Sequence, residues 1–196
     1  MSPFTFIFIG RSGCGKGTQA GLLQEELKAK YGDNPIFYLE TGQRFRDFIQ
    51  QDNYSSSISK KIYESIEPQP SFLAIWMWSH LLVDNLKGNE HLVIDGTPRS
   101  YSDALVLTSA MKFYGRKAHV IYLNVSRKWS EDRLMGRGRA DDVKPEDIKK
   151  RMDWFDKDVM PAVEYFKYNS DFKFIDINGE RTIDEIHTEL MSRLAI

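Results

Sequence analysis

Five short apolar runs, at residues 4–9, 37–39, 91–94, 119–124 and 172–175, are separated by longer stretches of helical character. The first, "FTFIFI", is aromatic and β-branched and carries no charge, which predicts a strand buried on both faces of a parallel sheet. After it, Ala20, Leu23 and Leu27 recur at helical spacing, and Gly32 is placed to end that helix. Pro145 suits the first turn of a later helix, while Gly115 and Gly179 mark connections. The most apolar stretch, "SFLAIWMWSHLL", is too short to span a bilayer and predicts a buried helix. Strand alternating with helix implies right-handed crossovers and a three-layer α/β/α architecture around a five-stranded parallel sheet. Ligands of such sheets bind beyond the carboxyl ends of the strands.

Composition narrows the picture. The chain has 196 residues, of which 41% are hydrophobic, enough for one domain with a sizeable core. A formal net charge of −1 argues against a general polyanion-binding surface, so no nucleic-acid partner is expected. The single cysteine, Cys14, excludes an intramolecular disulfide and a cysteine-based zinc site. No signal peptide and no membrane-length apolar segment are seen, so a cytoplasmic location without membrane partners is expected, with a monomer as the default. His80, His91, His119 and His187 form no metal-binding or catalytic pattern.

Chemistry enters with "GRSGCGKGTQ", residues 10–19. Strand, glycine-rich turn and helix are the context that the phosphate-loop pattern G-x-x-x-x-G-K-[ST] requires. Glycines let successive N–H groups turn inward around phosphate oxygens, and the helix N-terminus adds partial positive charge. Lys16 is then in reach of the outer phosphates. Gly17 stands where the strict pattern has a hydroxyl, and Thr18 follows one residue later. A glycine-rich turn with an incidental lysine is the plain alternative, which the flanking strand and helix disfavour. Cys14 reads as a small spacer, since no histidine accompanies it. The second signal is "IDGTPRS", residues 94–100, after "HLV". An acid at a strand end can hold waters of a phosphate-bound Mg²⁺, and Arg99 offers a bidentate fork for phosphate. Alone, the segment also fits an ordinary turn with Asp95 capping the next helix.

Together these segments resemble the adenylate kinase family of nucleoside monophosphate kinases, and the likeness runs almost the whole chain. "GRSGCGKGT" resembles its phosphate loop, in the "GKGT" form. "ETGQRFRDF" is similar to its acceptor-binding T-G-x-x-x-R, matching Thr41, Gly42 and Arg46, and "DGTPRS" to its D-G-x-P-R. "EDRLMGRGRADD" resembles the start and end of its lid, "IKKRM" the helix after it, and "INGER" the loop bordering the donor adenine. The resemblance implies a phosphate-loop kinase fold in one domain. Its core would be residues 1–40, 71–132 and 143–196, with a helical acceptor-binding arm at about 41–70 and a minimal lid at about 133–142.

What the likeness implies for the site follows residue by residue. Gly13, Cys14, Gly15, Lys16, Gly17 and Thr18 would cradle ATP, Arg133 would flank the donor base, and Arg181 would border it. Thr41, Gly42, Arg46, Gln69, Gly96, Arg99 and Asp103 would form the acceptor site. Arg137, Arg139 and Arg151 would surround the transferring phosphoryl group, with the roles of Arg137 and Arg139 interchangeable at this point. Thr18, Asp95 and Asp142 would arrange Mg²⁺, mostly through water, and the long lid with zinc-type cysteines is absent. The implied activity is reversible transfer of the terminal phosphate of ATP to AMP. A kinase for another monophosphate, or a nucleotide-binding module without turnover, are the alternatives.

Two departures bear on the acceptor. "SIEPQP" (residues 65–70) lacks the glycine expected ahead of the proline. Four residues beyond Arg99, where adenylate kinases carry a glutamine, stands Asp103. An amide matches adenine's donor and acceptor, whereas a carboxylate only accepts and suits guanine's two adjacent donors. Thr41 favours adenine, because pyrimidine-specific relatives carry alanine there. AMP is therefore the expected acceptor, with weaker base discrimination than a glutamine would give. Asp103 as a cap of a helix starting near Ser102 is the other reading.

Overall fold

A computed structural model of the chain describes residues 3–32, 34–136 and 144–196. Its centre is a five-stranded parallel sheet, β1 (Thr5–Gly10), β2 (Ile36–Glu40), β3 (His91–Asp95), β4 (Ala118–Asn124) and β5 (Lys173–Asn178), in the order β2-β3-β1-β4-β5. The expected strands are all present. β5 begins one residue later than its apolar run suggests and continues to Asn178, drawn on by pairing with β4.

Alternation along β1 sends its side chains into two cores. Ile7 and Ile9 join one cluster with Trp78, Leu82, Leu107 and Phe166, under α4 (Ser71–Asn85), α5 (Tyr101–Phe113) and α8 (Met160–Tyr168). Phe6 and Phe8 join the other with Leu23, Leu27, Ile186 and Leu190, under α1 (Lys16–Tyr31) and α9 (Ile183–Leu194). A strand covered on both faces must be apolar at every position, which explains its uninterrupted run. Gly32 ends α1 as expected, its N–H donating to the Lys28 carbonyl at 3.0 Å.

α4 corrects one expectation. Leu73, Ala74, Met77, Trp78 and Leu82 are buried, but Phe72 is 74% and Val83 71% exposed. The helix lies on one face of the sheet and can bury only the stripe turned toward it. No helix among the described residues is long and apolar enough to cross a membrane.

Further helices shape the site. α2 (Thr41–Phe48) and α3 (Tyr54–Glu64) follow β2, while α6 (Arg127–Met135) and α7 (Pro145–Trp154) flank residues 137–143. α7 continues through a π-helical turn, Phe155–Val159, into α8. β1 leads through α1 toward β2 on one side, and β4 leads to β5 on the other. Connections that diverge in this way open a crevice at the carboxyl ends of the central strands.

Candidate functional site

The loop between β1 and α1 lies at that crevice. Gly13 (φ +83°) and Gly15 (φ +94°) take left-handed conformations, so the backbone turns sharply before Lys16 begins the helix. The Lys16 ammonium arches back and donates to the carbonyls of Gly10 (2.9 Å) and Arg11 (3.0 Å), which holds its charge over the loop. Ser12, Gly13, Gly15, Lys16, Gly17 and Thr18 all line one cavity of about 970 Å³. Cys14 does not line it: the thiol is buried on the core side, and burial pushes its pKa up although Lys16 stands nearby. It serves as a spacer in the loop's floor.

β3 delivers Asp95 to the same cavity. Tyr38 Oη donates to Asp95 Oδ2 at 3.3 Å, and burial raises the carboxyl pKa while Lys16 lowers it. Burial, with Asp95 and Glu40 close by, pushes the Tyr38 phenol well above its ordinary value, so it remains a donor. A Cβ at Gly17 would lie 3.5 Å from Asp95 Oδ2, so glycine keeps the space beside that carboxylate open. Among the described residues no group of three or more His, Cys, Asp or Glu is placed to hold a metal ion.

Four residues after Asp95, Arg99 donates through Nε to the Gly96 carbonyl at 2.8 Å. Its guanidinium lies over the rings of Phe45 (6.0 Å) and Trp154 (5.6 Å). Burial pulls its pKa down, Asp103 and Asp95 oppose that, and Arg151 and Arg46 add to it. The group stays charged, since arginine begins so far above neutrality. Arg46 reaches the cavity from α2, with Nη2 to Glu40 Oε1 at 3.0 Å and to Gln43 Oε1 at 2.7 Å. Arg151 reaches it from α7. Lys16, Arg46, Arg99 and Arg151 thus converge from four segments on one cleft, an arrangement built for a multiply charged anion.

Gly42, Gln69 and Gly96 also line the cavity. The Gln69 amide is tied to Ser59, accepting from Oγ at 2.8 Å and donating to the carbonyl at 3.0 Å. Thr41 is buried behind the surface, its Oγ1 2.6 Å from that of Thr97. Arg133 lines the cavity with its guanidinium 4.8 Å from the Trp129 ring. Arg137, Arg139 and Asp142 lie outside the described residues.

Two further residues expected in the site do not line the cavity. Arg181 is absent from the cavity wall: it pairs with Glu189 and donates to the Asn178 carbonyl at 3.3 Å, because β5 ends in a turn that packs back on α9. Asp103, expected to face the acceptor base, is only 1% exposed. Its carboxylate accepts from the Arg99 backbone N–H (2.9 Å) and from Trp78 Nε1 (3.4 Å). Helix α5 starts at Tyr101 with Ser100 as its cap, so neither Asp95 nor Asp103 supplies that cap.

Tyr38, Phe45, Tyr63, Ile66, Glu67 and Trp154 line the cavity without having been singled out in the sequence. Trp154 sits three residues after Arg151 on the same helix face, a signal the sequence did contain. Ile66 gave none. It adopts φ +54° in the segment that lacks the expected glycine, a strained conformation for a β-branched residue.

Comparison with known proteins agrees with this geometry. The family described as "Adenylate kinase" matches residues 8–171. An adenylate kinase from Mycobacterium leprae is 31% identical over 192 residues, covering 96% of this chain and 97% of the relative. One from Oenococcus oeni is 30% identical over 179 residues, covering 90% and 91%. One from Prochlorococcus marinus is 29% identical over 190 residues, covering 96% and 97%.

Proposed function

Because the chain belongs to the adenylate kinase family, we propose that it transfers the terminal phosphate of ATP reversibly to AMP, giving two ADP. The observation that carries this reading is the convergence of Lys16, Arg46, Arg99 and Arg151 on one cleft of about 970 Å³. Phosphoryl transfer asks a protein for positioning and charge neutralisation more than for covalent chemistry. The attacking oxygen of a nucleoside monophosphate is already anionic, so no general base is needed.

In this reading the loop N–H groups and Lys16 hold the donor's outer phosphates, and Arg46 and Arg99 hold the acceptor phosphate. Arg151 faces the group in flight, joined by Arg137 and Arg139. Arg133, backed by Trp129, flanks the donor base. Asp95 and Thr18, with the open space beside Gly17, fit Mg²⁺ held through water and substrate phosphates, with Asp142 as a further acid. Mg²⁺ would neutralise charge on the donor's outer phosphates. Residues 41–70 form the acceptor arm and residues 133–142 the lid.

Since Asp103 is engaged with Arg99 and Trp78, reading the acceptor base falls to the cleft wall at Tyr63, Ile66 and Glu67. Incubation with ATP, Mg²⁺ and AMP, GMP, CMP or UMP in turn tests the proposal. ADP formation fastest with AMP is expected. A faster reaction with GMP would reassign the acceptor, and no diphosphate from any of the four would leave a binding module without turnover.

A further inference from the structure

Arg11 lies inside the phosphate loop yet points away from the cleft, into a second cavity of about 510 Å³ beside Asp156. Its side chain is 12% exposed. Nη2 pairs with Asp156, Nε donates to the Val125 carbonyl at 3.3 Å, and the guanidinium stacks 4.5 Å from the Phe155 ring. Asp156 belongs to the π-helical turn that joins α7 to α8, a kind of irregularity that clusters at functional sites. Its other oxygen faces Arg127 Nη1 at 3.5 Å. Arg127, at the start of α6, also pairs with Glu131 (2.9 Å) and with Asp153 of α7 (2.7 Å).

One carboxylate therefore links three pieces: the phosphate loop, the helix that carries Arg133 and the helix that carries Arg151. A second tie runs alongside, since Ser130 of α6 donates to the Ser12 carbonyl of the loop. The arrangement is poorly suited to stability alone. Arg11 Nη1 is buried with no hydrogen-bond partner among the described residues, which costs free energy that an apolar side chain on Phe155 would not incur. A local rule broken in this way is characteristic of sites shaped for function.

We propose that Arg11 is a positioning residue. Through Asp156 and Arg127 it sets the distance between the phosphate loop and the two arginine-bearing helices, so that Lys16 and Arg151 meet the same phosphates while Arg133 stays beside the donor base. The inference rests on the kinase reading above. Small misplacements of such groups slow a positioned reaction strongly while leaving ground-state contacts largely in place.

The test compares Arg11→Met, Asp156→Asn and the double variant. Arg11→Met keeps an apolar side chain against the Phe155 ring and removes the orphaned donor, so its melting temperature should match or exceed that of the parent. Its kcat should fall about tenfold, with KM for AMP changed less than about twofold. Asp156→Asn should do the same, and the double variant should be no slower than the slower single one, because both break one link. Amide hydrogen exchange supplies a readout independent of turnover: in either variant, exchange should quicken both in residues 11–16 and in α6. An unchanged kcat, multiplicative losses, or quickened exchange confined to one of those two segments would overturn the proposal. A parent protein that forms no diphosphate would overturn the kinase reading instead, and the exchange pattern would then decide the coupling by itself.

Discussion

Replacing Asp103 separates two roles that the same residue can play. Its carboxylate is 1% exposed and accepts from the Arg99 N–H at 2.9 Å and from Trp78 Nε1 at 3.4 Å. Asp103→Ala leaves a buried donor on Trp78 and a half-buried one on Arg99 unpaired, at about 1–3 kcal/mol each. Burial raises the Asp103 pKa, so the carboxylate carries its own desolvation cost, and losing it returns part of that sum. The net expectation is a loss of about 2–4 kcal/mol, or about 5–15 °C in melting temperature for a domain of this size. Asp103→Asn keeps one acceptor for the Arg99 N–H but turns an amide N–H₂ toward Trp78 and removes a charge from the first turn of α5. It should cost about 1–2 kcal/mol. Denaturant titrations with unchanged slope would measure both losses, and initial rates with AMP and GMP would measure base choice. The AMP-to-GMP ratio of Asp103→Asn should equal that of the parent. A stability loss below about 1 kcal/mol in Asp103→Ala, or a several-fold change in that ratio, would refute the assignment of Asp103 to holding the Arg99 segment.

Lys16→Ala should fold normally and lose turnover by about two to three orders of magnitude, as removal of a preorganised charge from a transferring phosphoryl group predicts. Near-normal turnover would dismiss the loop as the cradle. Arg116 and Glu90 form a buried pair, 6% exposed on each side, with Arg116 Nη1 also donating to the Glu90 carbonyl at 3.0 Å. Arg116→Met leaves the buried carboxylate to the backbone N–H groups of Lys87 and Gly88, without its guanidinium, and should cost about 3 kcal/mol without altering either Michaelis constant. His91 Nε2 and His119 Nδ1 are buried without hydrogen-bond partners among the described residues, and burial lowers both pKa values from 6.5. A folded-state pKa below the unfolded one gives stability that is complete above pH 6.5 and lost as pH falls through the folded value. Unfolding free energy should therefore decline below pH 6.5, and less steeply in His91→Gln; identical profiles would reject the assignment.

Local sequence is enough to read the parts whose chemistry is contiguous. Strand, glycine turn and helix at residues 5–31 are legible because an uninterrupted aromatic and β-branched run, closely spaced glycines and a lysine at the helix start are all local. Asp95 and Arg99 were legible for the same reason, as an acid and a fork just beyond an apolar strand. Features that depend on distant packing emerge only in the folded chain. Arg46, Arg99 and Arg151 meet only because α2, β3 and α7 converge at one end of the sheet. Asp103 turns inward because Trp78, 25 residues earlier in the chain, offers a donor in the core, a contact no local pattern encodes. Arg181 turns to Glu189 for a similar reason, and Ile66 is forced into a conformation its own side chain disfavours. Arg11, in the middle of the most readable motif in the chain, takes its role from Asp156, 145 residues later. Periodicity records which face of an element is apolar, whereas the partner that face or charge finds is fixed only when the elements pack.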